Sequence, residues 1–538
     1  MPASKTSLLQ ALACAMLTLP LSAAPQAPPT AKERDPARAF WANHPVVRAE
    51  IVLAPDMRAR LRDKPREYAE ATVRLDGVDH AKVGVKLKGS AGSFQAIDER
   101  PGFTVHLGKF GGEPRLHGLQ RFHLNNGAQD DTRLHEWIGH DVFTAAGLAA
   151  PRVAHALVWL DGKLLGLYTL RESFDKQFLL RTIGNTTGNL YDGGFCQDLD
   201  QPLQKDAGNG VDDHTDLLAL CELCRGVDQK REATLAAAID IPQFVDFVAL
   251  EAMLGHWDGY SRNTNNYRMW LPTGGKAVFL PHGMDQLLGD AGASVLDHPP
   301  GMAASALMQQ PAFRRRYRER IKALLPLLAP SRLKKQIEPV AENVQRALRA
   351  VDPEAASAYG EAVLGLYGRI QARHEQLQVQ AKAPEPKPLQ LAVGKALALK
   401  TFHPAAETEG VELGKKGYQG TAALHVDCGK RDAEPRHGAW RTHLLLAKGR
   451  YALRGLARCD GIVLPPKDGE GNQHGGVTLR GHGAASERLD GDRNWTALTA
   501  EFEVGEFQAN VELACDVQGF TGKAWFRVDS LQLVRLPD

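Results

Sequence analysis

Residues 256–267 read His256-Trp257-Asp258-Gly259-Tyr260-Ser261-Arg262-Asn263-Thr264-Asn265-Asn266-Tyr267, and residues 281–286 read Pro281-His282-Gly283-Met284-Asp285-Gln286. Asp258 is followed five residues later by Asn263, and Asp285 comes after a pattern typical of a strand pair. Phosphoryl transfer needs such groups, because a carboxylate orients or deprotonates the acceptor hydroxyl while an amide oxygen and a second carboxylate hold Mg²⁺ against the phosphates. The same residue types are common in polar turns, so the surrounding sequence has to distinguish the two interpretations.

The sequence before these segments is rich in strand patterns. Apolar residues mostly alternate between Val46 and Leu124, which predicts an antiparallel sheet. A helical pattern follows from Asp131 to Ala146. The turn Asp161-Gly162 then lies between the apolar runs Ala154–Leu160 and Leu164–Leu170, which predicts a β-hairpin.

The sequence after the hairpin is mainly helical. Helical patterns cover about 211–226, 231–257 and 303–382, and they are interrupted by a predicted strand pair at 267–271 and 277–281. The predicted fold class is therefore α+β, with a β-rich lobe at about 46–175 and a helix-rich lobe at about 176–382. A bilobal kinase has this order of elements, but many other α+β enzymes share it.

A second domain is predicted after a proline-rich linker. Residues 383–390 contain Ala383-Pro384-Glu385-Pro386-Lys387-Pro388, which is typical of a stiff, extended connection. From residue 391 to 538 alternating strands and glycine-rich turns predict an all-β sandwich of the jelly-roll type. The two parts show no shared repeat.

The N-terminal sequence predicts an exported protein, and the charge balance limits its expected partners. Residues 1–24 combine Lys5, an apolar core and small residues, which predicts a signal peptide, with a buried helix as the alternative. Residues 25–45 are expected to be a disordered lead-in. No later apolar run is long enough to span a membrane. The net charge of +2 gives no reason to expect nucleic acid or an anionic membrane as the main partner.

Several short motifs occur in a fixed order between residues 46 and 330. They are Lys88-Gly89-Ser90, His117-Gly118-Leu119, His123-Leu124-Asn125-Asn126, Leu165-Gly166-Leu167-Tyr168, Glu172, Asn189-Leu190-Tyr191-Asp192 and the Asp258 and Asp285 segments. In this order they resemble the spore-coat protein H (CotH) kinase family. The resemblance implies an atypical, bilobal protein-kinase-like fold that transfers the γ-phosphoryl group of ATP to Ser or Thr hydroxyls of a protein substrate. It also implies ATP and Mg²⁺ or Mn²⁺ as cofactors.

The resemblance assigns roles to individual acidic and amide residues. Asp258 corresponds to the catalytic aspartate and Asp285 to a metal ligand. Either Asn263 or Asn266 corresponds to the metal-binding amide, and the choice stays open. Glu172 falls where the family has an acidic residue near the lobe junction, and it can either position nucleotide or satisfy buried backbone donors.

The residues aligned with the phosphate site depart from the family pattern. The family's basic residue aligns with Arg100, where Lys is expected, and Arg does not replace Lys in every site. Lys86 or Lys88 can take that place. The turn from Gly89 to Gly92 can cover phosphates through its backbone amides or be a plain turn. Gly283 is a further departure, because many members carry Asp at this position.

Two other functions are open at this stage. The chain can be a catalytically inactive surface or envelope binding protein, an adhesin that keeps the fold, or a carbohydrate-active hydrolase that uses Asp258 and Asp285 as its carboxylate pair. The C-terminal domain can bind glycan through aromatic side chains, although most of these are expected in the core. The candidates are Trp440, Trp495, Trp525, Tyr451 and Phe526. Trp525 and Phe526 are adjacent in a strand, so at most one of them faces outward.

Overall fold

A computed structural model describes residues 35–538, apart from Pro114, Leu116, His117, 226–230, His298, Pro386, 407–409, Lys416, 430–433, 468–472 and 506–508. The predicted signal peptide and most of the lead-in lie outside the described residues. Residues 35–45, which were expected to be disordered, are instead ordered. They contain the short helix α1 (Arg38–Trp41), and Trp41 is buried in the core of the sheet that follows.

The first part of the fold is a closed barrel of seven strands in the order β1-β2-β3-β4-β5-β7-β6. The strands are β1 (Val46–Val52), β2 (Ala69–Leu75), β3 (Val78–Lys88), β4 (Gly102–His106), β5 (Arg121–Asn125), β6 (Val153–Leu160) and β7 (Lys163–Glu172). Only β1 and β6 pair in parallel. Helix α2 (Pro55–Asp63) connects β1 to β2. The predicted hairpin is confirmed, and its Asp161-Gly162 turn has the two positive φ angles that a two-residue hairpin turn favours.

Helix α3 (His135–Ala145) lies between β5 and β6 and packs on the helix-rich part of the chain. It begins four residues later than predicted. The reason lies in Asp130, whose carboxylate accepts hydrogen bonds from the backbone N–H groups of Thr132 and His135, at 2.9 Å each. Residues 131–134 therefore form a turn that leads into the helix.

The second part combines nine helices with a small sheet. The helices are α4 (Lys176–Thr182), α5 (Thr215–Arg225), α6 (Arg231–Ala238), α7 (Ile241–Leu254), α8 (Tyr260–Asn263), α9 (Met302–Met308), α10 (Pro311–Leu324), α11 (Pro330–Arg349) and α12 (Pro353–Lys382), among the described residues. The longest predicted helical runs are divided because Pro242, Pro311, Pro330 and Pro353 each start a new helix.

The small sheet has four strands in the order β11-β10-β8-β9. They are β8 (Gly188–Asp192), β9 (Gln204–Gly208), β10 (Tyr267–Pro272) and β11 (Val278–Pro281). The predicted pair β10 and β11 is confirmed. It places the Asp258 segment before one strand and the Asp285 segment after the next, so the antiparallel pairing brings both segments to the same end of the hairpin.

The C-terminal part is a β-sandwich, as predicted. One sheet has the order β12-β23-β17-β22-β15-β14, with β20 also paired to β17, and the other has the order β13-β16-β21-β18-β19. The strands are β12 (Ala396–Ala398), β13 (His403–Ala406), β14 (Glu412–Gly414), β15 (Ala423–Asp427), β16 (Arg436–Leu446), β17 (Gly449–Val463), β18 (Gly476–Gly481), β19 (Ala484–Ala485), β20 (Gly491–Val504), β21 (Ala509–Gly519), β22 (Thr521–Arg527) and β23 (Gln532–Arg535).

The sandwich core contains three of the five aromatic residues considered for sugar binding, namely Trp440, Tyr451 and Phe526. The α+β class is confirmed. Every helix among the described residues is too short or too polar to cross a lipid bilayer.

Candidate active site

A cavity of about 540 Å³ lies between the barrel and the helix-rich part. The end of β3 and the end of β5 line one side, and the segments 257–266 and 282–286 line the other. Asp258 and Asp285, which are distant in the sequence, face this one cavity, and Lys88, Asn263 and Asn266 line it too. The structure therefore brings five of the eight predicted site residues together.

The Asp258 carboxylate is held by three asparagine amides. Its Oδ1 accepts a hydrogen bond from Asn263 Nδ2 at 2.7 Å, and its Oδ2 accepts from Asn265 Nδ2 and Asn266 Nδ2 at 2.8 Å each. The backbone N–H of Asn266 donates to the Asp258 carbonyl at 2.8 Å. The loop thus folds around its own aspartate and fixes the direction of the carboxylate.

Two buried side chains, Glu251 and Arg373, stabilise this loop and the segments next to it. Glu251, fully buried on α7, accepts hydrogen bonds from the backbone N–H groups of Tyr260 and Ser261 at the start of α8. Burial raises the pKa of Glu251 to about 7. Arg373 on α12 is also buried, and its guanidinium donates to the carbonyls of Ala252, Met253, Ala291 and Ala293. It therefore joins the end of α7 to the segment that follows Asp285.

Asp285 lies in a different environment. His135 Nδ1 donates to its backbone carbonyl at 3.0 Å. Burial raises the pKa of the Asp285 carboxyl to about 7, and the nearby charge of Glu136 acts in the same direction. Glu136 Oε2 is itself buried without a hydrogen-bond partner among the described residues. Two acidic groups are thus crowded together on this wall, and sequence reasoning missed Glu136.

A chain of polar side chains connects Lys88 to Glu136. Lys88 Nζ donates to Asn125 Oδ1, and Asn125 Nδ2 donates to Glu136 Oε1 at 2.7 Å. Burial, together with the charge of Arg171, lowers the pKa of Lys88 to about 8. Of the two lysines considered in place of Arg100, Lys88 is therefore the one at the cavity, and its charge lies beside the acidic pair.

Arg171 is a second cavity residue that the sequence did not single out. It is buried, and its Nη1 donates to Nδ1 of His282. Burial and the charges of Arg268 and Arg171 lower the pKa of His282 well below its ordinary value, so its imidazole is a neutral acceptor. Arg171 Nε lies 4.0 Å from Glu136 Oε2. The guanidinium of Arg171 is therefore a second cation, after Lys88, that faces the acidic wall.

The structure does not bring Arg100, Lys86 or Glu172 to this cavity. Arg100 donates to the carbonyl of Leu167 at 2.6 Å and lies over the ring of Tyr168. Lys86 lies 5.1 Å from the ring centroid of Tyr68, on the same strand face as Lys88 but farther from the cavity.

Glu172 is part of a buried ion-pair network instead of a nucleotide site. Its carboxylate pairs with Arg152 and Arg181 and accepts a hydrogen bond from the backbone N–H of Arg152. Of the two roles considered for Glu172, the satisfaction of buried donors is the one that these contacts show. The family resemblance, which places an acidic residue near the lobe junction, had left both roles open.

Two glycines fit the shape of the cavity wall. Gly89 has a φ of +118°, and a Cβ there would lie 2.8 Å from the backbone of Phe94. Gly283 has a φ of +57°, and a Cβ there would lie 2.3 Å from Cγ of Asn266. The departure at position 283 therefore goes together with Asn266, because a side chain at 283 would displace the amide that contacts Asp258.

A second, more open cavity of about 1060 Å³ adjoins the first. The two share Gln129, Asp130, Trp257 and Gln286 in their walls. Trp257 is 54% exposed and stands at the boundary next to Asp258. The two cavities therefore meet close to Asp258, which lines the first of them.

The comparisons with known proteins give structural likenesses and one family. Among curated proteins none matches this chain. The xylan-binding CBM22-1 domain of Xyn10C from Paenibacillus barcinonensis is 11% identical with a TM-score of 0.17, covering 28% of this chain and 99% of that one. The family 11 carbohydrate-binding module from Clostridium thermocellum is 15% identical with a TM-score of 0.15, again covering 28% and 99%. The model of the family described as CotH kinase protein matches residues 91–381, more than half of the sequence, so this chain belongs to the CotH kinase family.

Proposed function

We propose that this chain is an atypical protein kinase that transfers the γ-phosphoryl group of ATP to Ser or Thr hydroxyls of a protein. The barrel and the helix-rich part would form the two lobes of a kinase-like domain. One observation carries this proposal: Asp258, Asp285 and Lys88 line one cavity between these parts. The N-terminal sequence pattern supports action after export, in the periplasm, at the cell surface or outside the cell.

Asp258 would orient the acceptor hydroxyl and receive its proton. This role requires a carboxylate in a fixed direction, because the proton must pass to it within hydrogen-bond distance. The three amide hydrogen bonds from Asn263, Asn265 and Asn266 supply that fixed direction. The support from Glu251 and Arg373 keeps the loop itself in place.

The residues around Asp285 fit a divalent cation. Mg²⁺ prefers oxygen ligands and is usually bound by one or two carboxylates together with substrate phosphates and water. Among the described residues no cluster of three or more His, Cys, Asp or Glu side chains is close enough to hold a metal alone. Glu136, whose Oε2 accepts no hydrogen bond from the described residues, and the buried Asp285 form an acidic pair that a divalent cation would neutralise further.

Asp285 would be the main protein ligand of this cation. Asn263 and Asn266 turn their Nδ2 atoms to Asp258, so their Oδ1 atoms are the ones left to serve as further ligands. When bound, Mg²⁺ or Mn²⁺ would neutralise the charge of the phosphates during transfer. The protein itself contributes the position of these oxygens.

Lys88 and the turn that follows it would contact the phosphates of ATP. Gly89, Ser90 and Ala91 line the cavity next to Lys88, which allows their backbone groups to approach a ligand closely. Protein kinases couple a strand lysine to a helix glutamate. Here Lys88 on β3 and Glu136 on α3 are coupled through Asn125, which supports the assignment.

The acceptor protein would lie in the second cavity. Its volume of about 1060 Å³ and its open shape suit a polypeptide segment, and it meets the first cavity beside Trp257. A Ser or Thr side chain placed where the two cavities meet would lie close to Asp258. This arrangement supports a macromolecular acceptor over a small one.

Label transfer tests the proposal. The full chain is incubated with γ-labelled ATP and either Mg²⁺ or Mn²⁺, with casein as acceptor, beside Asp258→Asn and an exposed control, Asp56→Asn. We expect labelled protein with the wild type and the control, and about 10²- to 10⁴-fold less with Asp258→Asn, because a positioned base contributes a factor of that order. A wild-type protein that binds Mg-ATP without transferring label to itself or to casein would contradict the proposal.

The alternative, an inactive binding protein, is separated by ligand stabilisation. A ligand that binds only the folded state raises the melting temperature. We expect Mg-ATP to stabilise the wild type but not Asp285→Ala. If Mg-ATP stabilises neither protein, the cavity does not bind nucleotide. The chain would then be an inactive binding protein.

A further inference from the structure

The C-terminal sandwich carries an aromatic group on the outer face of its larger sheet. Tyr418, Trp495 and Trp525 gather there around Arg458, and we call these four residues the aromatic cluster. Trp525 on β22 pairs with Arg458 on β17 and with His425 on β15. The neighbouring residues Ala457, Ala524 and Phe526 belong to the core, so the cluster lies on the opposite face.

Two rings of the aromatic cluster lie near the guanidinium group, and Trp495 contacts one of them, Tyr418. Arg458 Cζ lies 3.6 Å from the ring centroid of Tyr418 and 5.6 Å from that of Trp525. Tyr418 is 5.1 Å from Trp525 and 6.3 Å from Trp495, with the rings edge to face in both pairs. The register between β17 and β20 shifts at Ala457 and Cys459, beside Trp495. Such an irregularity redirects side chains, and here it leaves Trp495 partly exposed.

Arg458 retains hydrogen-bonding capacity within this cluster. Its residue is only 8% exposed, and its Nε has no hydrogen-bond partner among the described residues. One Nη atom bonds to Asp460. A buried donor without a partner is costly, so the guanidinium keeps donor capacity that the described residues do not use.

Several of the fixed charges around the aromatic cluster are paired. Arg458 pairs with Asp460 on the same strand. The remaining pairs are Lys523 with Asp427, Arg527 with Asp529 and Arg493 with Asp490. These four cations are therefore already paired and offer an anionic ligand less attraction than free cations would. An uncharged ligand rich in hydroxyl groups suits this face better, because its apolar face can pack on aromatic rings and its hydroxyls can bond to the polar rim.

We propose that the aromatic cluster binds a neutral polysaccharide, with Trp495 and Tyr418 packing against sugar rings and Arg458 donating to hydroxyls. This site lies outside the kinase-like cavity and does not depend on phosphoryl transfer. It would hold the chain on a glycan surface while the first domain acts on proteins nearby.

Affinity electrophoresis of the full chain tests this site. The probes are xylan, mixed-linkage β-1,3-1,4-glucan and β-1,4-galactan, with polygalacturonate as the charged comparison. We expect at least one neutral polysaccharide to retard the wild type, and polygalacturonate to leave it unretarded. Trp495→Ala should weaken the retarding interaction by about tenfold or more, since a buried aromatic contact typically contributes that much. Phe110→Ala, which removes an exposed ring from the barrel, is the matched control.

The outcomes separate this site from the kinase and from a purely structural role. Asp258→Asn should be retarded like the wild type, and thermal unfolding should show that Trp495→Ala keeps its melting temperature. Arg458→Lys should bind more weakly while it keeps the charge. No retardation by any of the three neutral polysaccharides, retardation by polygalacturonate alone, or equal retardation of Trp495→Ala and wild type would each overturn the proposal.

Discussion

Asp258 and Asp285 face the same cavity, but their surroundings differ in kind. The Asp258 carboxylate receives hydrogen bonds from three amide groups, all from its own loop. The Asp285 carboxyl is buried beside the acidic Glu136, whose Oε2 has no hydrogen-bond partner among the described residues. One aspartate is therefore satisfied by the protein alone, whereas the other remains in an unfavourable electrostatic environment.

This difference indicates which aspartate requires a ligand. A carboxylate with satisfied hydrogen bonds is held ready in one orientation, as a base or an orienting group must be. Crowded acidic groups instead raise the free energy of the ligand-free protein, and a cation that neutralises them recovers that free energy on binding. The two aspartates should therefore fail in different ways when they are substituted.

The largest expected effect separates catalysis from binding. Asp285→Asn should weaken Mg-ATP binding by about tenfold or more, because one of the few protein ligands of the cation is lost. Asp258→Asn should bind Mg-ATP within about threefold of wild type while transfer falls by about 10²-fold or more. Calorimetric titration and label transfer measure these two quantities. Equal losses of binding in both variants would show that the two carboxylates do not have separate roles.

Arg373 bonds to the chain segments beside both aspartates. It donates to two carbonyls at the end of α7 and to two in the segment after Asp285. Arg373→Met should lower the free energy of unfolding by about 2 to 4 kcal/mol, since several buried acceptors lose their donor together. Denaturant unfolding, with the exposed Arg349→Met as control, measures the loss. A loss under about 0.5 kcal/mol would contradict the inference that Arg373 holds the end of α7 and the segment after Asp285 together.

Gly283 and Asn266 connect the two aspartates through shape. A Cβ at 283 would lie 2.3 Å from Asn266 Cγ, and the φ of +57° adds strain for any side chain. Gly283→Ala should cost about 1 to 3 kcal/mol. In Asn266→Ala the obstructing atoms are absent, so the double variant should be more stable than the sum of the single effects predicts. A double-mutant cycle by denaturant unfolding measures this coupling, and strict additivity would show that the contact is not made.

Local sequence patterns predicted the elements that carry the site better than they predicted its contacts. The hairpin with Asp161-Gly162 and the pair β10 and β11 were visible because turn chemistry and alternation are local properties. Strand β9, with the sequence Gln204 to Gly208, was missed because it contains few of the residues typical of strands. It forms by pairing with β8.

The site was predictable where a short motif carries it. Asp258, Asn263 and Asn266 stand in one loop, so their spacing was informative. Glu136 and Arg171 could not be predicted from the sequence, because one acidic residue in a helix or one basic residue in a strand usually faces solvent. Arg100 and Glu172 were placed in the site by alignment, yet Arg100 bonds to a carbonyl and Glu172 to two arginines. Only tertiary packing distinguishes these cases.

The smallest expected effect concerns Glu251, a carboxyl group that combines features of both aspartates. Like Asp258 it accepts hydrogen bonds, from two backbone N–H groups, but like Asp285 it is buried and has its pKa raised to about 7. Between pH 4.5, the ordinary pKa of a glutamate, and a pH of about 7, Glu251 loses its proton in the unfolded chain but keeps it in the folded protein. The folded state therefore binds more protons, and the contribution of Glu251 to stability falls as the pH rises through this range.

Glu251→Gln cannot lose a proton, so it should lack this part of the pH dependence. At pH 5 the variant should be about 1 kcal/mol less stable than wild type, because one backbone N–H loses an oxygen acceptor. Above pH 7 the difference should shrink or reverse, since only the wild type then carries a buried charge. Denaturant unfolding at several pH values, without nucleotide and with the exposed Glu342→Gln as control, measures the difference. A difference that does not change with pH would mean that the loop under Asp258 is held by an ionised carboxylate, and the contrast between the two environments would then lie at Asp285 alone.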